Sequence, residues 1–181
     1  MKKFVAAIVI VILFAIPIFA AYMGVFNTLI FDIKEFGPYQ LVYLEQTGDY
    51  AQTGKTMEQV ESIVENANIE TEAAFGIFYD DPSETPKEEL RSEIGLILKK
   101  GTTVNPAKLT GGVKIKELRK QKYVYAEFAN KNVLSYVLGP MMVYPKMSKR
   151  LETQNLSFPF SLEIYEQERI LYLVPWLKND R

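Results

Sequence analysis

In FSLEIYE, residues 160–166, a carboxylate and a phenol stand two positions apart. Successive side chains of a strand point to opposite faces, so Glu163 and Tyr165 share one face while Leu162 and Ile164 share the other. If that face lines a groove, a carboxylate deprived of water has a raised pKa. A cation held over the neighbouring ring then restores its charge and gains about 0.5–2 kcal/mol per ring contact. If the face is solvated, Glu163 is an ordinary wet residue. The chain has no histidine and no cysteine, which excludes Ser-His-Asp catalysis, thiol nucleophiles, disulfides and conventional zinc sites. Carboxylates and 11 tyrosines remain as acid–base groups. Binding is therefore expected over catalysis, with no catalytic residue, metal or cofactor assigned.

The elements that must position this pair follow from a repeat. The run QLVYLE, with Tyr39 before it, is echoed by KYVYAEF around Tyr125, and GIFYDD by LEIYEQ, which sets Tyr79 against Tyr165. Between these runs lie two helical patterns with apolar residues three and four apart. Met57, Val60, Ile63 and Val64 mark the first, and Val133, Val137, Met141 and Tyr144 the second, which Pro140 and Pro145 should kink or split. Strand candidates SEIGLILKK and RILYLVPWL follow the two acidic turns. Each half reads strand, helix, strand, strand, which predicts an α+β domain with a pseudo-twofold axis and a groove where the halves meet. Asn105, Pro106, Gly111 and Gly112 occupy the connection. In DDPSETPKEELR, Thr85, Pro86 and Glu88 read as a capping box after an Asp-Pro turn, and the acidic residues there lack the spacing of a calcium loop.

With 21 basic and 22 acidic residues the chain has a net charge of −1, so no nucleic-acid partner is expected. The basic run from Lys114 to Lys122 alternates with Val113, Ile115 and Leu118 and reads as the wet face of an edge strand. The N-terminus is different. No charge occurs between Phe4 and Phe31, and the 22 residues from Phe4 to Val25 are apolar almost throughout. As a helix they would extend about 33 Å, enough to cross a hydrocarbon core of about 30 Å. Residues 1–26 are thus expected to be one transmembrane anchor and residues 27–181 one globular domain. A cleaved signal peptide competes with this reading, but the apolar stretch is long for one and no small residue precedes a suitable cleavage point by three.

Beyond these patterns, GIFYDDPSETPKEELRSEIGLIL, 23 consecutive residues from Gly76, resembles the signature of the GyrI-like small-molecule-binding domain. In that family a Tyr-Asp-x-Pro turn leads through a Thr-Pro step to a further strand. LEIYEQERILYLVPWL resembles the family's final hairpin, and the resemblance spans roughly Leu29 to Leu177. An anchor before such a domain is also similar to the arrangement in the animal testis-expressed receptor for endoplasmic-reticulum autophagy. The resemblance implies two strand-helix-strand-strand units around a groove for small, hydrophobic or cationic molecules. The family's buried acidic residue corresponds to Glu163, and its aromatic lining to Tyr165 or Tyr172 and to Tyr79. Some members hydrolyse strained cyclic compounds, so the alternatives are a hydrolase in which Glu163 activates water beside these tyrosines, or a membrane-tethered interaction module.

Lys2 and Lys3 precede the apolar run and the next basic residue is Lys34, which sends the globular part away from the cytoplasm. Protease added to intact spheroplasts should therefore degrade that part. Protection until lysis would place it in the cytoplasm.

Overall fold

In the computed structural model, backbone structure is described for residues 2–26 and 28–178, and side-chain environments for these except 2–10, 12 and 107. The period-two runs become strands and the three-four runs become helices. In chain order they are α1 (Lys2–Tyr22), β1 (Asp32–Phe36), β2 (Tyr39–Thr47), α2 (Thr53–Asn66), β3 (Thr71–Phe78) and β4 (Arg91–Leu98), then β5 (Lys114–Leu118), β6 (Gln121–Ala129), α3 (Ser135–Thr153), β7 (Ser161–Tyr165) and β8 (Arg169–Pro175). All the strands join one antiparallel sheet in the order β1-β6-β8-β7-β3-β4-β2-β5. Of the basic run, Lys114 and Lys116 lie on β5, which is an edge strand as expected, whereas Arg119 and Lys120 connect it to β6 and Lys122 lies on that interior strand. Lys114 pairs with Glu45 at 2.7 Å.

The strand order is a palindrome of the two halves. The pairs Leu41↔Ile97 and Gly76↔Ile94 correspond to Tyr123↔Pro175 and Glu163↔Tyr172. Each half also donates its first strand to the other: Asp32 of β1 pairs with Tyr125, and Lys114 of β5 pairs with Tyr43. Because Gly76 and Glu163 are equivalent and also face each other across β3 and β7, the axis passes between them. This register makes Phe78, not Tyr79, the counterpart of Tyr165, and Tyr43, not Tyr39, the counterpart of Tyr125. A slip of one residue reverses the face of a side chain, so Tyr79 points away from the face that Tyr165 occupies.

One face of the sheet carries Leu41, Phe75, Ile77, Tyr123, Leu162 and Leu173 in a single buried cluster. Leu41 and Tyr123 belong to strands separated by four others, so the sheet curls around this core. The opposite face holds α2 through Val60 and Val64, and α3 through Val143, Met147 and Leu151. α3 runs as one helix through Pro140 and Pro145. Its buried stripe also differs from the expected one: Ser135 and Gly139 begin it, while Val133, Val137 and Met141 are exposed. Small residues hid the core stripe because close approach, rather than hydrophobicity, is what they supply. The Thr85 capping box does not form either. Asp81 orders that turn by accepting from the Ser83 backbone at 2.8 Å, and the short 3-10 turn Lys87–Glu89 has no side-chain cap.

Among the described residues no helix is long and apolar enough to cross a membrane. The side chains of residues 2–10 and 12, which include Lys2, Lys3 and much of the expected anchor, lie outside the described set, as does the expected domain boundary at Asn27.

Gly95 lies where β2 crosses close to β4, and a Cβ there would fall 2.7 Å from the Tyr43 Cα and still nearer the Val42 carbonyl oxygen. Backbone cannot yield as a flexible side chain can. Gly95→Ala should cost about 2–4 kcal/mol in urea unfolding, whereas a neutral outcome would mean that β2 and β4 are spaced more widely.

Candidate functional site

Ser161, Glu163 and Tyr165 project from β7 toward the helices, because Leu162 and Ile164 commit the alternate positions to the opposite core. β3 extends this floor with Ala74 and Phe78, and β4 with Ile94. The α2 wall contributes Met57 and the α3 wall Val137, Met141 and Tyr144. Together they enclose a groove of about 1340 Å³ between the halves. One end lies at the acidic turn of Asp80 and Asp81, and the other at Val133 and Tyr136.

Glu163 is only 4% exposed at the floor of this groove. Tyr144 donates to its Oε1 at 2.5 Å and Tyr165 to its Oε2 at 2.9 Å. The Tyr144 hydroxyl also lies 3.0 Å from the Ser161 Oγ. Since a phenol has one proton and Tyr144 gives it to the carboxylate, Ser161 can donate in return. Burial pushes the Glu163 carboxyl up to about 7, although both phenols favour its charged form and pull the other way. Burial and the adjacent carboxylate hold the Tyr144 and Tyr165 hydroxyls well above the usual tyrosine range, so they remain donors. No Lys or Arg among the described residues pairs with Glu163. Its counterpart across the axis is Gly76, so the site holds one carboxylate where symmetry could have placed two that repel.

The candidate residues divide. Tyr165 stands beside Glu163 with its ring 5.5 Å from that of Tyr136. Tyr172 is paired with Glu163 across β7 and β8 but is fully buried behind Tyr144, with ring centroids 5.6 Å apart and nearly perpendicular. Its hydroxyl has no hydrogen-bond partner among the described residues. It occupies the notch at Gly139, where a Cβ would overlap it. Tyr172 therefore supports the wall from behind rather than lining the groove. Tyr79 borders the acidic end, but its ring packs beside Phe160 at 6.1 Å and belongs to the opposite-face core. Tyr144 and Ser161 were missed as site residues. Ser161 was findable, being two positions from Glu163 on the same strand. Tyr144 was visible only as the fourth member of the α3 stripe.

The charge of the lining favours cations. Its described residues include six carboxylates besides Glu163 and one basic group, Lys87, which pairs with Asp49 at 2.9 Å. Such a lining raises the local cation concentration. A groove with an apolar, aromatic floor around one buried acid, Glu163, is the arrangement of a small-molecule-binding module.

This class is consistent with the comparisons. Residues 31–169 match the GyrI-like small molecule binding domain, and the chain belongs to that family. The fold is shared with the EcmrR C-terminal domain, at a TM-score of 0.61 and 14% identity over 83% of this chain and 99% of that one. SAV2435 bound to tetraphenylphosphonium aligns at a TM-score of 0.54 and 14% identity, over 81% and 93% of the two chains. An integron cassette protein from the mobile metagenome of Vibrio cholerae aligns at 0.53 and 11% identity, over 82% and 99%. No curated protein matches the chain, and the comparisons do not show the expected similarity to the autophagy receptor.

The folded carboxyl of Glu163 titrates near 7 against an ordinary value of 4.5. The folded state therefore binds the proton more tightly. Its stabilising contribution is complete below about pH 4.5 and is lost as pH rises through 7, by about 3 kcal/mol. Glu163→Gln should flatten this decline, gaining stability over the parent at pH 8 but not at pH 4.5 in urea titrations. An equal effect at both pH values would mean that Glu163 is not buried as an unpaired acid.

Proposed function

We propose that this chain is a membrane-anchored binding protein that takes a small hydrophobic cation into the groove between its halves. The observation that carries the reading is the Glu163 carboxylate, buried among phenols and aromatic rings without a basic partner. A bound cation would supply the missing charge and bring Glu163 back toward its ordinary pKa. That SAV2435, which shares the fold, binds tetraphenylphosphonium supports the choice of ligand class. Tyr144 and Tyr165 already donate to Glu163, and Tyr172 is sealed behind the wall, so none of these three phenols is free to hold an oxyanion beside an activated water. This favours binding over hydrolysis.

The anchor reading rests on the uncharged run from Phe4 to Val25 and on α1 itself. Val11, Leu13, Phe14, Ile16 and Ile18 of α1 are each more than 60% exposed. A helix with apolar side chains bare on every side needs an apolar solvent. In this reading residues 27–181 form the binding domain, held on the non-cytoplasmic side of the membrane.

The test is a thermal-shift titration of the full chain in detergent with tetraphenylphosphonium. At 100 times its dissociation constant the cation should stabilise the parent by about 2.7 kcal/mol. Loss of one charged interaction is worth about 1.5–3 kcal/mol, so Glu163→Gln should bind about 10-fold to 150-fold more weakly. Parent affinity should also fall between pH 8 and pH 5.5 as Glu163 takes up its proton, while the variant's affinity stays level. Equal, pH-independent binding by parent and variant would rule out this role for Glu163.

A further inference from the structure

The end of α1 does not hang free. Lys131, in the loop before α3, donates its ammonium to the Tyr22 carbonyl and lies 4.5 Å from the centre of the Tyr22 ring. The Asn132 amide points its Nδ2 to the Met23 sulfur at 3.3 Å, and Met23 is fully buried. These contacts fix the start of α3 beside the last turn of the apolar helix. From there α3 presents Val137 and Met141, four residues apart and so on one face, with Val133 and Leu134 in the turn that leads into it. All four are exposed, Val133 at 78% and Met141 at 68%. Phe26 and Ile30, in the segment leaving α1, are exposed at 70% and 76%. Val133, Val137 and Met141 also line the groove, at the end opposite the acidic turn.

From this juxtaposition we infer that the α3 lip rests on the surface of the bilayer that α1 enters, so that the groove opens onto lipid. Its ligand is then an amphiphile already dissolved in that bilayer, with an apolar body and a cationic head. This rests on the anchor reading above. Exposed apolar residues gathered beside the end of an apolar helix find their burial in the interface, while the acidic end of the groove stays in water. The ligand slides along α3 with its apolar body against Val137 and Met141 and brings its charge to Glu163. Lys131, strapped to the helix end, sits where lipid phosphates lie.

The absence of cysteine allows a test without background labelling. The full chain is reconstituted in phosphatidylcholine vesicles that contain spin-labelled lipid, and a fluorophore is attached through Val137→Cys, Glu84→Cys or Leu13→Cys in turn. Loss of fluorescence at positions 137 and 13 but not at 84 supports the inference. Loss at position 13 alone overturns it and leaves the anchor reading standing, since α1 would be in lipid while the groove faces water. Loss at none of the three overturns both. Equal loss at 137 and 84 overturns the inference, because the domain would then have no fixed orientation. Lys131→Ala combined with Asn132→Ala, which cuts the strap but replaces only exposed residues, should reduce the loss at 137 and leave that at 13 unchanged. Undiminished loss at 137 would mean that these contacts do not orient the lip.

Discussion

Everything about this groove turns on one desolvated carboxylate. A charged group taken out of water without a partner is expensive, and in practice its pKa shifts instead. Here two phenols recover part of the cost by donating to Glu163, one from its own strand and one from α3 across the groove. The balance leaves an acid that titrates near neutrality, and in the proposed function it holds a proton in the empty groove and a negative charge beside a bound cation. The twofold breaks at Gly76, where the Phe78 ring fills the space that a Cβ would need, and a second acid beside Glu163 would have raised one of the pair further.

The surrounding packing serves that balance. Tyr144 reaches Glu163 because α3 lies close to the sheet, and α3 lies close because Ser135 and Gly139 bring no bulk to its buried stripe. Tyr172 fills the notch at Gly139 and braces Tyr144 edge-on. The buried Tyr172 hydroxyl is a cost of this arrangement, of about 1–3 kcal/mol for an unsatisfied polar group. The exchanged strands β1 and β5 tie the halves together, so the groove walls cannot part without breaking strand pairing at both edges of the sheet.

Much of this was legible from residue order alone. Period-two runs such as QLVYLE and KYVYAEF announced the strands, their recurrence announced the twin halves, and alternation along FSLEIYE placed Glu163 beside Tyr165. What escaped depends on distances along the chain that local patterns do not encode. Pairing of β1 with β6 and of β5 with β2 is a long-range choice. The repeat aligned Tyr79 with Tyr165 because both are tyrosines in similar runs, yet register decides face, and one position sent Tyr79 to the opposite core. Tyr144 belongs to another element and meets Glu163 only when α3 packs. The α3 stripe was misread because apolar Val133, Val137 and Met141 outweighed the small Ser135 and Gly139 in any hydrophobic pattern.

The carboxyl carbon of Glu163 can be followed directly by carbon-13 NMR across a pH titration, with the resonance assigned by its absence in the Gln variant. The account predicts a midpoint near 7 in the ligand-free protein, displaced downward when tetraphenylphosphonium is added. A midpoint at the ordinary 4.5, or one that saturating cation leaves unmoved, would contradict it.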